Sequence, residues 1–125
     1  MRIAELMTPK VIFVAPGDPL SVAREYFRAK NIHHLLVLDR GRIAGVLSVR
    51  EVIGKPADAT VASVMVRNVM TVAPDSSTRD VATAMIGRGH GCVPVVENGR
   101  VVGIVTTTDL LRVLSRGPAA ARATA

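Results

Sequence analysis

Tryptophan is absent from the 125 residues, tyrosine and cysteine occur once each, and phenylalanine occurs twice. So few rings leave little to stack on the bases of a single nucleic-acid strand. The lone thiol, Cys92, excludes an intramolecular disulfide and any cysteine-rich metal centre; it reads as a small buried hydrophobe. Runs such as "HLLVL" (34–38) and "RVVGIV" (100–105) fall far short of the roughly 20 apolar residues that cross a bilayer. The opening "MRIAELMTPK" lacks the apolar block of about 7 to 15 residues and the cleavage site of a secretory signal. A cytoplasmic location is therefore expected.

The parts of an enzyme are missing too. There is no Gly-x-Ser-x-Gly elbow, no Cys/His pair with a supporting acid, and no P-loop. Gly87 and Gly89 in "IGRGHG" follow a helical pattern rather than a strand, which fits a helix end better than a phosphate loop. His33, His34 and His90 have neither H-x-x-x-H spacing nor an acidic companion, so no metal site is expected.

What is present is ordinary for a soluble domain: 49% hydrophobic and 21% charged residues. The formal charge of +6 favours anionic partners in general. The 13 arginines are scattered and form no recognition-helix pattern, which makes nucleic acid the weaker of the anionic partners.

Sliding the chain against itself by 58 positions aligns residues 3–54 with 61–112 without a gap, and ten pairs are identical, among them Met7/Met65, Pro16/Pro74, Gly41/Gly99 and Gly45/Gly103. The punctuation repeats as well: "VAPGDP" matches "VAPDSS", and "LVLDRGRIAGVLS" matches "PVVENGRVVGIVT". Each copy begins with a short strand, Ile12–Val14 or Met70–Val72, closed by Ala-Pro. Asp18 before Pro19, and Ser76 in the second copy, are expected helix caps. Ala23, Tyr26 and Phe27, then Val81, Ala84 and Met85, recur at helical spacing. Leu35–Leu38 with Arg42–Leu47, and Val93–Val96 with Arg100–Val105, flank tight turns, and Asn98-Gly99 is a strong hairpin signal.

The order predicts a mixed α/β (α+β) fold of two tandem β-α-β-β-α repeats. Their limits are 1–54 and 61–114, with a linker at 55–60 and a flexible tail at 115–125. A unit of about 50 residues buries too little surface to stand comfortably alone. The copies are expected to pack about a pseudo-twofold axis, leaving clefts between them and helix faces for a second subunit as a homodimer.

"GIVTTTD" at 103–109 and "GVLSVRE" at 45–51 close the two copies. The spacing fits a capping box in which Thr106 and Asp109, or Ser48 and Glu51, satisfy each other's backbone N–H groups. The cap is the reading the spacing supports first; the same geometry also admits an anion site at a helix N-terminus, where free N–H groups and hydroxyls meet phosphate. Both readings stand on the spacing alone.

Together "LMTPKVIFVAP", "VMVRNVMTVAP", "CVPVVENGRVVGIV" and "GIVTTTDLL" resemble the tandem CBS (cystathionine β-synthase-type) domain pair, or Bateman module, over residues 3–112. The resemblance implies a regulatory ligand sensor without catalysis. It would bind AMP, ADP, ATP or S-adenosylmethionine in clefts between the repeats, need no metal, and signal to a separate effector protein. Carried across, Thr106 and Thr108 contact phosphate, Asp109 holds ribose, and Ile104 lines the adenine pocket. Phe13, Val14, His33, His34 and Leu36 complete that site. A second site takes Val46, Ser48, Arg50 and Glu51, completed by Thr71, Val72, Gly91, Cys92 and Pro94. Glu51 is one methylene longer than the Asp of the family pattern, so it holds ribose or serves as a cap only, and Arg50 offers a bidentate phosphate contact. The alternatives are a structural dimerisation module with empty clefts and, more remotely, a nucleic-acid-binding protein.

Overall fold

The computed structural model describes residues 1–116. The chain divides into a central unit, Ile12–Val69, and a terminal unit in which Met1–Val11 joins Met70–Ala125. These units are out of phase with the sequence repeats, because the first eleven residues belong with the second copy.

The central unit contains β1 (Phe13–Val14), α1 (Leu20–Lys30), β2 (His34–Asp39), β3 (Arg42–Ser48), α2 (Val49–Val52) and α3 (Val61–Val64). Helix α1 carries the chain back so that β1 pairs parallel to β2, and β3 then pairs antiparallel to β2. The terminal unit holds a 3-10 turn at Ile3–Glu5, α4 (Thr78–Arg88), β4 (Cys92–Glu97), β5 (Arg100–Thr106) and α5 (Thr107–Arg116). Helix α5 thus includes Ser115 and Arg116, two residues of the expected tail; the remainder of that tail lies outside the described residues.

Both hairpins turn on two residues in the left-handed region, Arg40-Gly41 at φ 53° and 80° and Asn98-Gly99 at φ 54° and 77°. Two such residues match the natural twist of the strands they join. Helices α1 and α4 end on left-handed residues as well, Asn31 and Gly89.

The helix starts differ from expectation by one residue in both copies. Pro19 (ψ 154°) is extended and itself precedes α1. Ser77 caps α4, with its hydroxyl accepting from the Asp80 N–H at 3.3 Å. Asp18 and Ser76 instead close the preceding turns, accepting from the N–H groups of Ala15 (2.9 Å) and Ala73 (3.2 Å). Short polar side chains bind nearby backbone in turns as readily as in caps. The expected strand Met70–Val72 is only a parallel bridge, Val72 to Val95.

Each unit is then closed by a segment laid along its hairpin. In the terminal unit, Thr8 and Ile104 exchange both backbone hydrogen bonds at 2.9 Å. In the central unit, Val66 and Val46 do the same at 2.9 and 3.0 Å. Because Ile104 turns its polar backbone toward Thr8, its opposite neighbour Pro94 sits in the sheet without needing an N–H. The close approach explains the repeated glycines. A Cβ on Gly103 would lie 2.7 Å from Met7 Sδ and 3.0 Å from the Thr8 carbonyl oxygen; on Gly45 it would lie 2.8 Å from both Met65 Sδ and the Val66 carbonyl oxygen.

Two separate cores result. The central one gathers Val14, Leu20, Ala23, Leu35, Val37, Leu47, Val52, Val61 and Met65, with Tyr26 and Phe27 packed at its edge. Ile3, Leu6, Val81, Met85, Val93, Val95 and Val105 form the other, with Leu110 and Val113 of α5 against it.

Candidate ligand-binding site

Strand β5 ends at Thr106 and α5 begins at once, so Thr106 stands at the N-cap and Asp109 at the third helical position. The expected capping box forms. Asp109 N–H donates to Thr106 Oγ1 (3.3 Å), and Thr106 N–H donates back to Asp109 Oδ2 (2.9 Å). The Thr106 hydroxyl also donates to Oδ2, at 3.1 Å.

The other carboxylate oxygen is engaged from far away in sequence. Thr8 Oγ1 donates to Asp109 Oδ1 at 3.1 Å, and Arg112 lies 3.8 Å from the same oxygen. Asp109 is 3% exposed, the single buried charged residue among those described. A carboxylate removed from water needs such partners to offset its lost hydration.

The neighbouring segments are drawn together by the sheet. Cys92 pairs with Thr106 and Pro94 with Ile104. Val72 N–H donates to the Pro94 carbonyl, and Thr107 N–H donates to the Gly91 carbonyl, each at 3.1 Å. The terminal unit therefore ties Val72, Gly91, Cys92 and Pro94, expected beside Glu51, to Ile104, Thr106 and Thr107 through backbone pairing, with Thr71 exposed and Thr108 exposed on the first turn of α5. Cys92 is the buried hydrophobe expected of it; burial first, and then the charge of Asp109, push its thiol up to about 12.

The central unit repeats the arrangement with different chemistry. Phe13 pairs with Leu36, Leu36 with Val46, and His34 with Ser48; Val49 N–H donates to the His33 carbonyl at 3.1 Å. Val14 is in the core and Phe13 is 52% exposed. Glu51 caps α2, accepting from Ser48 N–H (2.8 Å) and Ser48 Oγ (2.7 Å). Arg50 is exposed. Burial, together with neighbouring His33, lowers the basicity of His34; Glu51 works the other way, and Arg50 adds to the lowering.

Thr8 and Arg112 are the polar neighbours that sequence reasoning missed. The repeat carried no distinct sign of the first, since Thr8 aligns with Val66 in a segment where Glu5/Ser63, Pro9/Arg67 and Lys10/Asn68 differ as well. Among the described residues no three His, Cys, Asp or Glu side chains converge as metal ligands.

A family model for the CBS domain matches residues 3–58 and again residues 61–116. The chain belongs to the CBS domain family. At 37% identity over 116 residues it is similar to the magnesium transporter MgtE of Thermus thermophilus, covering 87% of this chain and 26% of that protein. It thus spans about a quarter of the transporter's length. The cytosolic domain of the Mg2+ channel MgtE, solved in complex with ATP, is similar at a TM-score of 0.75 and 36% identity, over 86% of this chain and 46% of that one. The CBS domain pair of protein MJ0100, solved with 5′-methylthioadenosine and S-adenosyl-L-methionine, is similar at a TM-score of 0.85 and 27% identity, over 92% and 96% of the two chains. The expected fold, two tandem CBS domains in a mixed α+β architecture, is the one observed.

Proposed function

We propose that this CBS pair is a regulatory module that binds an adenine nucleotide through the start of α5 and passes the bound state to a separate effector protein, without catalysis. The observation that carries the reading is the buried Asp109 carboxylate, held at the first turn of a ten-residue helix beside the hydroxyls of Thr106 and Thr108. Helix N-termini favour phosphate, and a short carboxylate accepts ribose hydroxyls. Similar proteins solved with ATP, and with 5′-methylthioadenosine and S-adenosylmethionine, support the same ligand class.

In this reading Thr106 and Thr108 contact phosphate, Asp109 takes the ribose and Ile104 borders the base. Phe13, Val14, His33, His34 and Leu36 remain proposed ligand contacts, and Glu51, with Ser48 and Arg50, is the weaker counterpart of Asp109. The mechanism is a shift between two packings in proportion to the ligand's differential affinity. No helix among the described residues is long and apolar enough to cross a membrane, and the proposed setting is the cytoplasm.

The test is thermal unfolding with AMP, ADP, ATP, S-adenosylmethionine and NADH, on the native chain and on Asp109→Ala. A ligand at about 100 times its dissociation constant adds roughly 2.7 kcal/mol to stability. No response to any compound, or an equal response from the variant, would defeat the assignment.

The assembly proposed is a homodimer. On α5 Leu111 and Leu114 are 58% and 84% exposed, and Ile86 on α4 is 83% exposed. Large apolar side chains left bare on two helices of one unit fit a second copy. Leu114→Glu is expected to shift sedimentation toward the monomer; an unchanged dimer would place the contact elsewhere.

A further inference from the structure

We propose that Thr8 competes with bound ligand for the carboxylate of Asp109, so that the N-terminal segment carries a built-in competitor for the ribose. The inference rests on the nucleotide reading of Asp109 above. An ionised carboxylate offers about four acceptor positions. Oδ2 already receives Thr106 N–H and Thr106 Oγ1, and Oδ1 receives Thr8 Oγ1. One good position remains, on the oxygen that faces Arg112 at 3.8 Å. A ribose presents two adjacent hydroxyls, and seating both on Asp109 requires the position that Thr8 holds. At 3% exposure, the side chain leaves a second donor little room beside that one position while Thr8 stays in place.

Giving up that position is a local event. The backbone of Thr8 stays fixed by its two bonds to Ile104, both 2.9 Å, so rotation about χ1 alone withdraws the hydroxyl. The exchange replaces one charge-assisted hydrogen bond by another, and the ligand's net gain at this oxygen is correspondingly small.

The central unit supplies the internal comparison. Val66 occupies the position of Thr8 and makes the same backbone pair, with Val46, but it has no hydroxyl. Glu51 accepts only from Ser48 N and Oγ among the described residues. The copies thus differ in whether the protein contests its own carboxylate. Valine is also shown to be compatible with this backbone geometry, which makes Thr8→Val a conservative probe.

Calorimetric titration of the full chain with ATP and with S-adenosylmethionine, for native protein, Thr8→Val and Thr8→Ser, decides the matter, alongside unfolding of each ligand-free form. Thr8→Val is expected to bind the responding ligand about tenfold more tightly, the scale of one hydrogen bond to a charged group. Its ligand-free form is expected to unfold more easily, and Thr8→Ser should behave as native. Binding by Thr8→Val alone supports the inference equally. Native binding with unchanged or weaker affinity in Thr8→Val overturns the competition and leaves the nucleotide reading intact. Absence of binding by every form overturns both.

Discussion

Replacing Gly103 by alanine tests whether the segment at Met7 and Thr8 closes the terminal unit. The added Cβ would meet Met7 Sδ at 2.7 Å and the Thr8 carbonyl oxygen at 3.0 Å. The thioether can swing aside, since methionine has three flexible torsions; the carbonyl cannot, because it is bonded to Ile104 N–H at 2.9 Å. Overpacking costs about 1–3 kcal/mol, and each backbone bond lost on retreat adds about 1 kcal/mol. Against this, alanine gains about 0.4–1 kcal/mol by restricting the unfolded chain. The balance is a loss of about 2 kcal/mol, which for a chain of this size lowers the melting midpoint by about 6 to 12 °C. Gly17→Ala is the control, since nothing lies within 4 Å of a Cβ there. Calorimetry of both, with hydrogen exchange at the Thr8 amide, reads the outcome. A Gly103→Ala midpoint within about 2 °C of native, with unchanged protection at Thr8, would show that the contact does not constrain the segment.

Two further predictions concern titratable groups. The Cys92 thiol, pushed up to about 12 by burial and by Asp109, should resist a thiol reagent at pH 8 in folded protein and react promptly in denaturant; rapid native labelling would mean that β4 opens. His34 titrates below its usual 6.5 in the fold, through burial first. Between that lowered value and 6.5 the unfolded chain holds a proton that the folded chain lacks, so stability rises with pH across the window and falls on acidification through it. Urea titrations from pH 7 downward should show that slope in native protein and a flatter one in His34→Gln. Equal slopes would assign the effect to other groups.

Local chemistry was legible in the sequence and distant chemistry was not. Asn98-Gly99 announced its turn because two adjacent residues tolerate positive φ, and the observed angles follow. The spacing of Thr106 and Asp109 announced a capping box because both partners lie within one helical turn. Asp18 and Ser76 misled because a short polar side chain serves a turn or a cap by the same hydrogen bond, and one residue of extended backbone at Pro19 and Ser77 decides which. The bond from Thr8 to Asp109 joins residues 101 positions apart. No local period reports such a pair, and the difference from Val66 in the other copy is one of several in that segment. The family matches start 58 residues apart, at 3 and 61, while the compact units begin nine residues later, at 12 and 70.

That offset has a bearing on how the chain acquires its structure during synthesis. The central unit is contiguous, Ile12–Val69, and every partner it needs has been made once its last residue is free of the ribosome. The terminal unit joins the first eleven residues to Met70 and beyond, so Thr8 has no partner until Ile104 itself has been made. Pairings of such long sequence separation form late, because the intervening loop must be closed first. Until then the apolar side chains Ile3, Leu6 and Met7 leave the ribosome with their core still unmade. Residues made before the whole of the central unit are thus buried after it, and in that interval they are what a chaperone would find.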